Sequence, residues 1–217
     1  VRTHARPGDW LQASETIVLA VKPQQMREVA VAIRPHLKQP LVLSIAAGVR
    51  AATIADWLAT GKIVRAMPNM PALIRAGITA AVALPEVSAT QTAAADKILG
   101  AVGTVIWLDD EALLDAVTAL SGSGPAYIFY FIEAMQAVAH ELGFDEAQAR
   151  VLTLHTFAGA AQLAMQSSES AAALREKVTS KGGTTAAALA SFEHDKVDEA
   201  IARAIRAAAA RARELGS

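Results

Sequence analysis

Cysteine is absent from this sequence of 217 residues, aromatic residues make up only 5%, and neither sign of charge is in excess. Without cysteine the chain forms no disulfide, no thiolate zinc site and no cysteine nucleophile. Its 20 basic and 21 acidic residues give a net charge of −1, so the basic surface typical of nucleic-acid-binding proteins is not expected. The sequence also lacks an uninterrupted apolar run of about 18 residues, as a membrane span needs, and the pattern of a signal peptide. We therefore predict a cytoplasmic protein that binds neither membrane nor nucleic acid.

Alanine is the residue in excess, at 50 of 217 positions. Because alanine favours helices and buries little surface, the apolar fraction of 53% indicates a helix-rich protein and not a membrane protein. A chain of this length forms one large domain or two small ones.

The first half of the sequence alternates short apolar runs with helical periodicity. Strands are predicted at 15–21, 40–46, 62–68, 78–84 and 104–108, and helices at 24–37, 51–58 and 88–102. Continuous apolar runs separated by helices are typical of a mostly parallel sheet that is buried on both faces. This half is therefore predicted to be an α/β domain. No structure is assigned to the first 12 residues.

The second half is helical almost throughout, with breaks predicted at Ser121–Pro125 and Ser180–Gly183. A helix over 125–142 is apolar nearly all round, so most of its sides must be buried. A helical domain of this size has few ways to bury it alone, and we expect it to form a dimer core. The charges of the helix over 197–215 are expected to face solvent.

A dinucleotide-binding fingerprint is missing. That fingerprint, Gly-x-Gly-x-x-Gly between a strand and a helix, lets the backbone approach a pyrophosphate. The one Gly-x-Gly is Gly122-Ser123-Gly124, which follows a helical pattern and has Tyr127 at the third glycine position. Since the first strand also lies close to the start, we expect the sequence to begin partway through a domain.

Four short segments occur together in a recognisable order and spacing. They are AVKPQ at 20–24, RAMPN at 65–69, LSGSGPAY at 120–127 and VTSKGGTT at 178–185. Together they resemble the pyrroline-5-carboxylate reductase family, which catalyses the last step of proline synthesis, over essentially the whole chain. The family normally begins with a strand, a glycine-rich turn and helix and a second strand, roughly fifty residues that are absent from this sequence.

The resemblance implies a partial Rossmann-like domain over residues 1–108 and an all-helical dimerisation and substrate domain over 109–217. It also implies NADPH or NADH as cofactor, and homodimers that can stack into larger rings. The family transfers a hydride to the imine carbon of a cyclic imino acid. This reaction needs positioning above all, and neither a nucleophile nor a metal. We accordingly expect no metal site.

The segment after residue 178 is the predicted anchor for the substrate carboxylate. Free backbone N–H groups at the start of a helix attract anions, and the resemblance assigns substrate binding to the glycines and threonines here. The alternative is an ordinary capped helix. The candidate substrate-binding residues are Ser180, Gly182, Gly183, Thr184 and Thr185, together with Ser121 and Glu169 elsewhere in the chain.

Thr118 and Ser121 precede the long apolar helix, where the family places its substrate. Thr118 is the candidate catalytic residue, and simple packing of small residues is the alternative for Ser121. Glu169 is expected to reach the substrate site of the partner subunit.

The cofactor is expected at the carboxyl ends of the first three strands, where ligands of open α/β sheets bind. Each segment also has the composition of an ordinary strand end or turn. Asn69 holds either the nicotinamide or a nearby loop. The candidate cofactor-binding residues are Ala20, Val21, Lys22, Pro23, Ile45, Ala46, Ala47, Met67, Pro68 and Asn69.

Two alternative functions stay open at this point. One is a related reductase of another imine or of a hydroxy acid, although a Lys-x-x-x-Asn pair that favours the hydroxy-acid branch is absent from 125–142. The other is a non-catalytic oligomerisation fragment.

Overall fold

The computed structural model describes residues 2–216. The chain divides into two compact units. The first comprises the residues up to Pro125 together with those from Ile205 onward, and the second comprises Ala126–Ala204. None of the helices in the described part of the chain is both long and apolar enough to cross a membrane. The predicted division into functional domains at residue 108 stays a prediction.

The first unit contains a five-stranded sheet in the order β1-β2-β3-β4-β5. Three of the four neighbouring pairs are parallel, and β3 with β4 is antiparallel. The strands are β1 Thr16–Leu19, β2 Leu41–Ser44, β3 Ile63–Met67, β4 Gly77–Ala83 and β5 Gly103–Trp107. The predicted α/β fold with a mostly parallel sheet, followed by a helical part, is confirmed.

The antiparallel pair follows from the short connection between β3 and β4. A parallel crossover needs a dozen or more residues, whereas β4 begins at Gly77, soon after β3 ends at Met67. A 3₁₀ segment, Met70–Ile74, occupies most of the link. The chain therefore reverses direction and returns beside the strand it has just left.

Helices cover both faces of the sheet, which explains the continuous apolar runs. These helices are α1 Met26–Ile33, α2 Ala51–Leu58 and α3 Ala89–Gly100. In β2, Val42 packs in one core with Met26 and Ile54, from α1 and α2. Its neighbour Leu43 belongs to a second core, which includes Leu99 of α3. A strand that is buried on both faces has no position for alternating polar residues.

Local sequence also sets where these helices begin. Ser88 caps α3 in a capping box, since its hydroxyl accepts from the backbone N–H of Gln91 and the Gln91 side chain accepts from Ser88 N–H.

One 3₁₀ segment, Asp9–Ala13, lies partly in the stretch to which the sequence assigned no structure. Leu11 anchors it in the core.

The predicted break at Ser121–Pro125 is confirmed only at Ser123, a single bend residue, because the chain is helical on both sides of it. Helix α4, Leu113–Val117, continues as a π-helical segment, Thr118–Gly122, and α5, Gly124–Glu141, begins two residues later. The Thr118 and Ser121 hydroxyls donate to the carbonyls four residues earlier, and Ser123 N–H donates to Thr118 O over 2.8 Å. These bonds hold a widened turn where glycine and serine had indicated a loop.

The second unit is helical. Its helices follow in the order α5, then α6 Glu146–Gln166, α7 Ala171–Lys177, α8 Thr184–His194 and the first part of α9 Val197–Leu215. The bounds of α9 match the predicted helix, and the predicted break at Ser180–Gly183 lies between α7 and α8. Ion pairs on α9, such as Arg203 with Glu199, lie at the surface as expected.

Helix α5 is not buried within the single chain, contrary to what its apolar sequence requires. An apolar cavity of about 540 Å³ lies beside it in the second unit. We call this cavity the apolar groove. Its lining includes Tyr130, Phe131, Met135, Val138, Leu152 and Phe192. An exposed apolar surface of this kind marks an interaction site.

Candidate functional site

The three predicted cofactor segments lie at one edge of the sheet. Because β1, β2 and β3 run parallel, their carboxyl ends meet there, and Leu19 pairs in register with Ser44, which pairs with Arg65. Residues 20–23 follow β1 and residues 45–47 follow β2, while Met67 ends β3 and residues 68–69 follow it. Ligands of open α/β sheets bind in this position.

The first two segments present small side chains and backbone. After β1, Lys22 is extended and Pro23 opens a 3₁₀ turn. After β2, Ala46 is buried and its N–H donates to the buried Ser44 hydroxyl. Gly48 follows in a left-handed conformation with a φ of 76°. A side chain at Gly48 would lie 3.0 Å from the carbonyl oxygen of Leu215, a tight contact, so the backbone conformation and this contact both favour glycine.

Asn69 connects the π-helical segment to the start of β4 in the first unit. Its Nδ2 donates to the carbonyl of Ser121 over 3.2 Å, and its Oδ1 accepts from the N–H of Ile78 over 2.9 Å. Both polar atoms of this side chain therefore hold neighbouring segments of the chain, and its contact with a nicotinamide stays a prediction.

A cavity of about 150 Å³ in the first unit brings cofactor and substrate candidates together. We call it the strand-edge cavity. Pro23 and Ala47 line it beside Thr118. Its other lining residues are Gln24, Gly48, Asp115, Ala212 and Leu215, none of which was a candidate site residue in the sequence analysis. Drug-sized ligands occupy about 300–1,000 Å³, so this cavity has room for only part of a dinucleotide. Apart from Asp115, its lining residues are uncharged.

The hydroxyl of Thr118 has a fixed hydrogen-bonding role. It donates to the carbonyl of Leu114 over 2.7 Å. A hydroxyl has one proton to donate and two lone pairs that accept. Since the proton is engaged, Thr118 offers the cavity an acceptor, which suits a ligand that carries an N–H.

Two ion pairs beside the cavity were missed from the sequence. Arg50 Nη2 donates to the buried Asp115 Oδ2 over 2.8 Å, and Arg65 Nη1 donates to Glu111 Oε1 over 2.7 Å. Glu111 Oε1 also accepts from the N–H of Ala51 over 2.8 Å. The one available signal was an arginine in the middle of the apolar strand β3, where an unpaired charge is not tolerated.

The predicted carboxylate anchor is a formed turn in the second unit. Gly182 has a φ of 73°, and the N–H of Gly183 donates to Ser180 O over 3.0 Å. Gly183 is the N-cap of α8, and no side chain caps this helix. The alternative predicted for this segment was an ordinary capped helix. Without such a cap, the first N–H groups of α8 stay available to an anion.

Thr185 is half-buried as the second residue of α8, whereas Thr184 and Lys181 are exposed. Glu169 lies in the short loop between α6 and α7. Its carboxylate is held by Lys177 Nζ, at 2.8 Å and 2.6 Å from the two oxygens. The candidate substrate residues thus fall in both units: Thr118 and Ser121 in the first, Glu169 and the α8 turn in the second.

Comparison with known proteins gives a consistent result. Residues 111–215 match the family described as pyrroline-5-carboxylate reductase dimerisation. Pyrroline-5-carboxylate reductase of Pseudomonas aeruginosa is 46% identical over 204 residues, covering 93% of this chain and 75% of that protein. The pea (Pisum sativum) protein of the same name is 37% identical over 210 residues, covering 95% of this chain and 76% of its own length.

Solved structures agree. A pyrroline-5-carboxylate reductase from Coxiella burnetii is 42% identical with a TM-score of 0.89, covering 95% of this chain and 77% of that one. Pyrroline carboxylate reductase from Plasmodium falciparum with NADP bound is 28% identical with a TM-score of 0.88, covering 95% and 79%. The chain spans about three quarters of the length of these relatives, and it belongs to the pyrroline-5-carboxylate reductase family.

Proposed function

We propose that this protein reduces 1-pyrroline-5-carboxylate to proline with a nicotinamide cofactor, NADPH or NADH. The observation that carries the proposal is the grouping of Pro23, Ala47 and Thr118 around one cavity in a chain of this family. The hydride adds to the carbon of the C=N bond, and the nitrogen carries the proton that makes the product a secondary amine. Positioning supplies most of the acceleration that such a reaction needs.

The strand-edge cavity is the proposed place of hydride transfer. When bound, the reduced nicotinamide supplies the hydride. The backbone of residues 20–23 and 45–47 holds it there, and Met67 and Pro68 close the same edge of the sheet. The short side chain of Ala47, which lines the cavity, leaves room for a flat ring. Asn69 contributes by fixing the Ser121 turn, through its hydrogen bond to that carbonyl.

Thr118 is the proposed partner of the imine nitrogen. Its hydroxyl proton is held by Leu114 O, so its lone pairs face a protonated imine as acceptor. The Ser121 hydroxyl donates to Val117 O over 3.1 Å and is oriented in the same manner. The carbon of a protonated imine accepts a hydride more readily than that of a neutral imine, so groups that keep the nitrogen protonated favour the transfer.

The turn from Ser180 to Gly183 and the start of α8 form the proposed carboxylate anchor. Uncapped N–H groups at the start of α8 provide donors and a partial positive charge. The Thr185 hydroxyl adds a donor, with Thr184 beside it at the first helical position. We assign Glu169 to the substrate site of the partner subunit, which requires that Lys177 release it or accompany it.

The protein acts as a homodimer. Its second unit leaves Phe129, Tyr130 and Val138 more than one third exposed on α5, next to the apolar groove. A helix of this composition is stable in water only when a partner covers it. A second copy of the same chain supplies an identical surface, as closed twofold symmetry demands.

The direct test is oxidation of NADPH and of NADH by the purified dimer with 1-pyrroline-5-carboxylate as substrate. Comparing the two initial rates at equal concentration decides which reduced cofactor it uses. An acyclic imine and a 2-oxo acid serve as alternative substrates for the related reductase classes. Absence of turnover with the cyclic substrate and either cofactor, in a folded dimer, contradicts the proposal.

Thr118→Val supplies the site-specific arm of this test. It removes the hydroxyl but keeps the shape, and one charge-assisted hydrogen bond is worth about 1.5–3 kcal/mol. We expect kcat/KM to fall roughly 10- to 150-fold. The matched control is Thr92→Val, since Thr92 is a half-buried helical threonine whose hydroxyl also donates four residues back, to Ser88 O. Thr92→Val should leave kcat/KM unchanged.

A further inference from the structure

The loop of residues 45–50 connects the end of β2 to the start of α2, and we call it the β2–α2 loop. Ser44 ends the strand and Ala51 begins the helix. This loop carries the predicted cofactor contacts at 45–47, and Ala47 and Gly48 line the strand-edge cavity. Its position relative to Thr118, across the cavity, decides how a bound ring meets the substrate.

Glu111 holds the far end of this loop. Its Oε1 accepts from the N–H of Ala51 and from the guanidinium of Arg65. Arg65 is only 3% exposed and lies in β3, so the carboxylate is fixed from inside the sheet. Arg50, the N-cap residue of α2, makes no capping bond of its own. Glu111 therefore performs the capping from a distant part of the chain.

The Arg50 side chain contacts the helical stretch that contains Thr118 and lines the strand-edge cavity. Its Nη2 donates to Asp115 Oδ2 over 2.8 Å. Asp115 is buried and lines the strand-edge cavity with Thr118, three residues further along the same helical stretch. Residues three apart lie on one side of a helix. The Arg50–Asp115 pair thus joins the end of the β2–α2 loop to the helical turn that presents the Thr118 hydroxyl.

We propose that Arg50 and Asp115 are positioning residues, whose ion pair sets the spacing between the β2–α2 loop and Thr118 for hydride transfer. The inference rests on the proposed function for its kinetic consequence. Its structural consequence, the ordering of residues 45–51, stands independently of any reaction.

A purely stabilising role makes a different prediction. Replacing both members of a buried ion pair by apolar residues is often neutral for stability, whereas removing one member leaves an unpaired buried charge. If the pair only stabilises the fold, a double apolar variant regains both stability and activity. If the pair sets a distance, the double variant regains stability alone.

The experiment compares Arg50→Met, Asp115→Leu and the double variant with the wild type. Arg50→Lys tests rescue by a conserved charge, and Arg211→Met is the matched control. Arg211 belongs to the same unit and forms an exposed ion pair of the same length, 2.8 Å, with Glu214. The readouts are the urea midpoint, kcat and KM for the imine, and amide hydrogen exchange of the peptide covering 45–51, with β1 as internal reference.

For the double variant we expect a midpoint near that of the wild type and kcat lowered about 10- to 100-fold, as misplacement by roughly 1 Å produces. KM should change less than about threefold. Exchange in 45–51 should be about tenfold faster, with β1 unchanged. Arg50→Lys should recover part of kcat, and Arg211→Met should match the wild type throughout.

Two results overturn the proposal: kcat of the double variant within about twofold of the wild type, or unchanged exchange in 45–51. A wild-type enzyme that does not turn over the imine contradicts the proposed function instead. In that case the exchange measurement alone decides whether the pair orders the loop.

Discussion

Asn69 and Ser121 are joined by a side-chain hydrogen bond that links the end of β3 to the π-helical segment, with 3.2 Å between Asn69 Nδ2 and Ser121 O. The same amide receives the N–H of Ile78 at the start of β4. One side chain thus fixes the strand end, the antiparallel return and the turn beside Thr118. Asn69, two residues after the end of β3, therefore joins three segments of the first unit.

Replacing Asn69 by alanine should lower the free energy of unfolding by about 1–3 kcal/mol, because two hydrogen bonds of about 0.5–1.5 kcal/mol each are lost. Urea denaturation measures this directly. Asn69→Asp is the comparison variant, since it keeps the acceptor for Ile78 N–H but replaces the donor to Ser121 O by a charged acceptor. An alanine variant as stable as the wild type would show that the junction carries no net stability.

The strands and helices were largely predictable because their signals are local. The bounds of α2, at Ala51–Leu58, and of α9 follow from apolar spacing and flanking residues alone. The π-helical segment was not predictable, since glycine and serine indicate a turn unless hydroxyls bond back to the preceding helix. In Thr118 and Ser121 they do.

The segments that form the candidate site were predictable, but the ion pairs that join them were not. Residues 20–23 and 45–47 meet at one edge because parallel strands end together, a consequence of the predicted fold. The pairs Arg50–Asp115 and Arg65–Glu111 join residues 65 and 46 positions apart, and no local pattern specifies such partners. Arg65 in an apolar strand signals only that a partner must exist.

The apolar groove gives a sharp prediction for assembly. Val138→Asp places a carboxylate on α5, where the side chain is 50% exposed in the single chain and lines the groove. If the dimer covers this surface, the buried charge should dissociate it, and light scattering coupled to size exclusion should report about half the mass. Val31→Asp makes the same change on α1 of the first unit, where Val31 is 56% exposed. That control should stay dimeric; equal behaviour of both variants contradicts the assignment.

The carboxylate anchor predicts a selective loss of substrate binding. Thr185→Val removes one donor to a charged group, worth about 1.5–3 kcal/mol, so the dissociation constant for proline should rise roughly 10- to 150-fold. Isothermal titration calorimetry measures it. Thr185→Ser keeps the hydroxyl and should bind normally. Thr90→Val is the control variant. It removes a hydroxyl from the second residue of α3, the position that Thr185 has in α8. If Thr185→Val binds proline as tightly as Thr90→Val does, Thr185 does not contact the carboxylate.

The ion pair of Asp9 and His36 predicts a pH effect at the surface. The hydrogen bond with His36, and next that from Gln12, lower the pKa of Asp9 below its ordinary value. A carboxyl with a depressed folded pKa adds stability above its unfolded pKa and loses it as the pH falls through the folded one. The carboxyl carbon shift of Asp9 should therefore titrate below 3.8. In His36→Ala the midpoint should move up toward that value, and an unmoved midpoint would show that His36 is not the cause.

Two glycines at either end of the same turn should respond to alanine in opposite directions. Gly103 begins β5 with a φ of 150°, and a side chain there would collide with the backbone carbonyl of Gly77 in the paired strand β4. Overpacking and backbone strain each cost about 1–3 kcal/mol, so Gly103→Ala should destabilise the protein by about 2–6 kcal/mol. Gly100, the last residue of α3, has open space where a side chain would lie. Gly100→Ala should stabilise by about 0.5–1 kcal/mol, since alanine restricts the unfolded chain and suits a helix. Thermal unfolding of the two variants measures both changes. A Gly103→Ala variant with the melting temperature of the wild type would mean that β4 and β5 can separate at this position without a loss of stability. The pairing of Gly77 with Gly103 would then not contribute to the stability of the sheet edge.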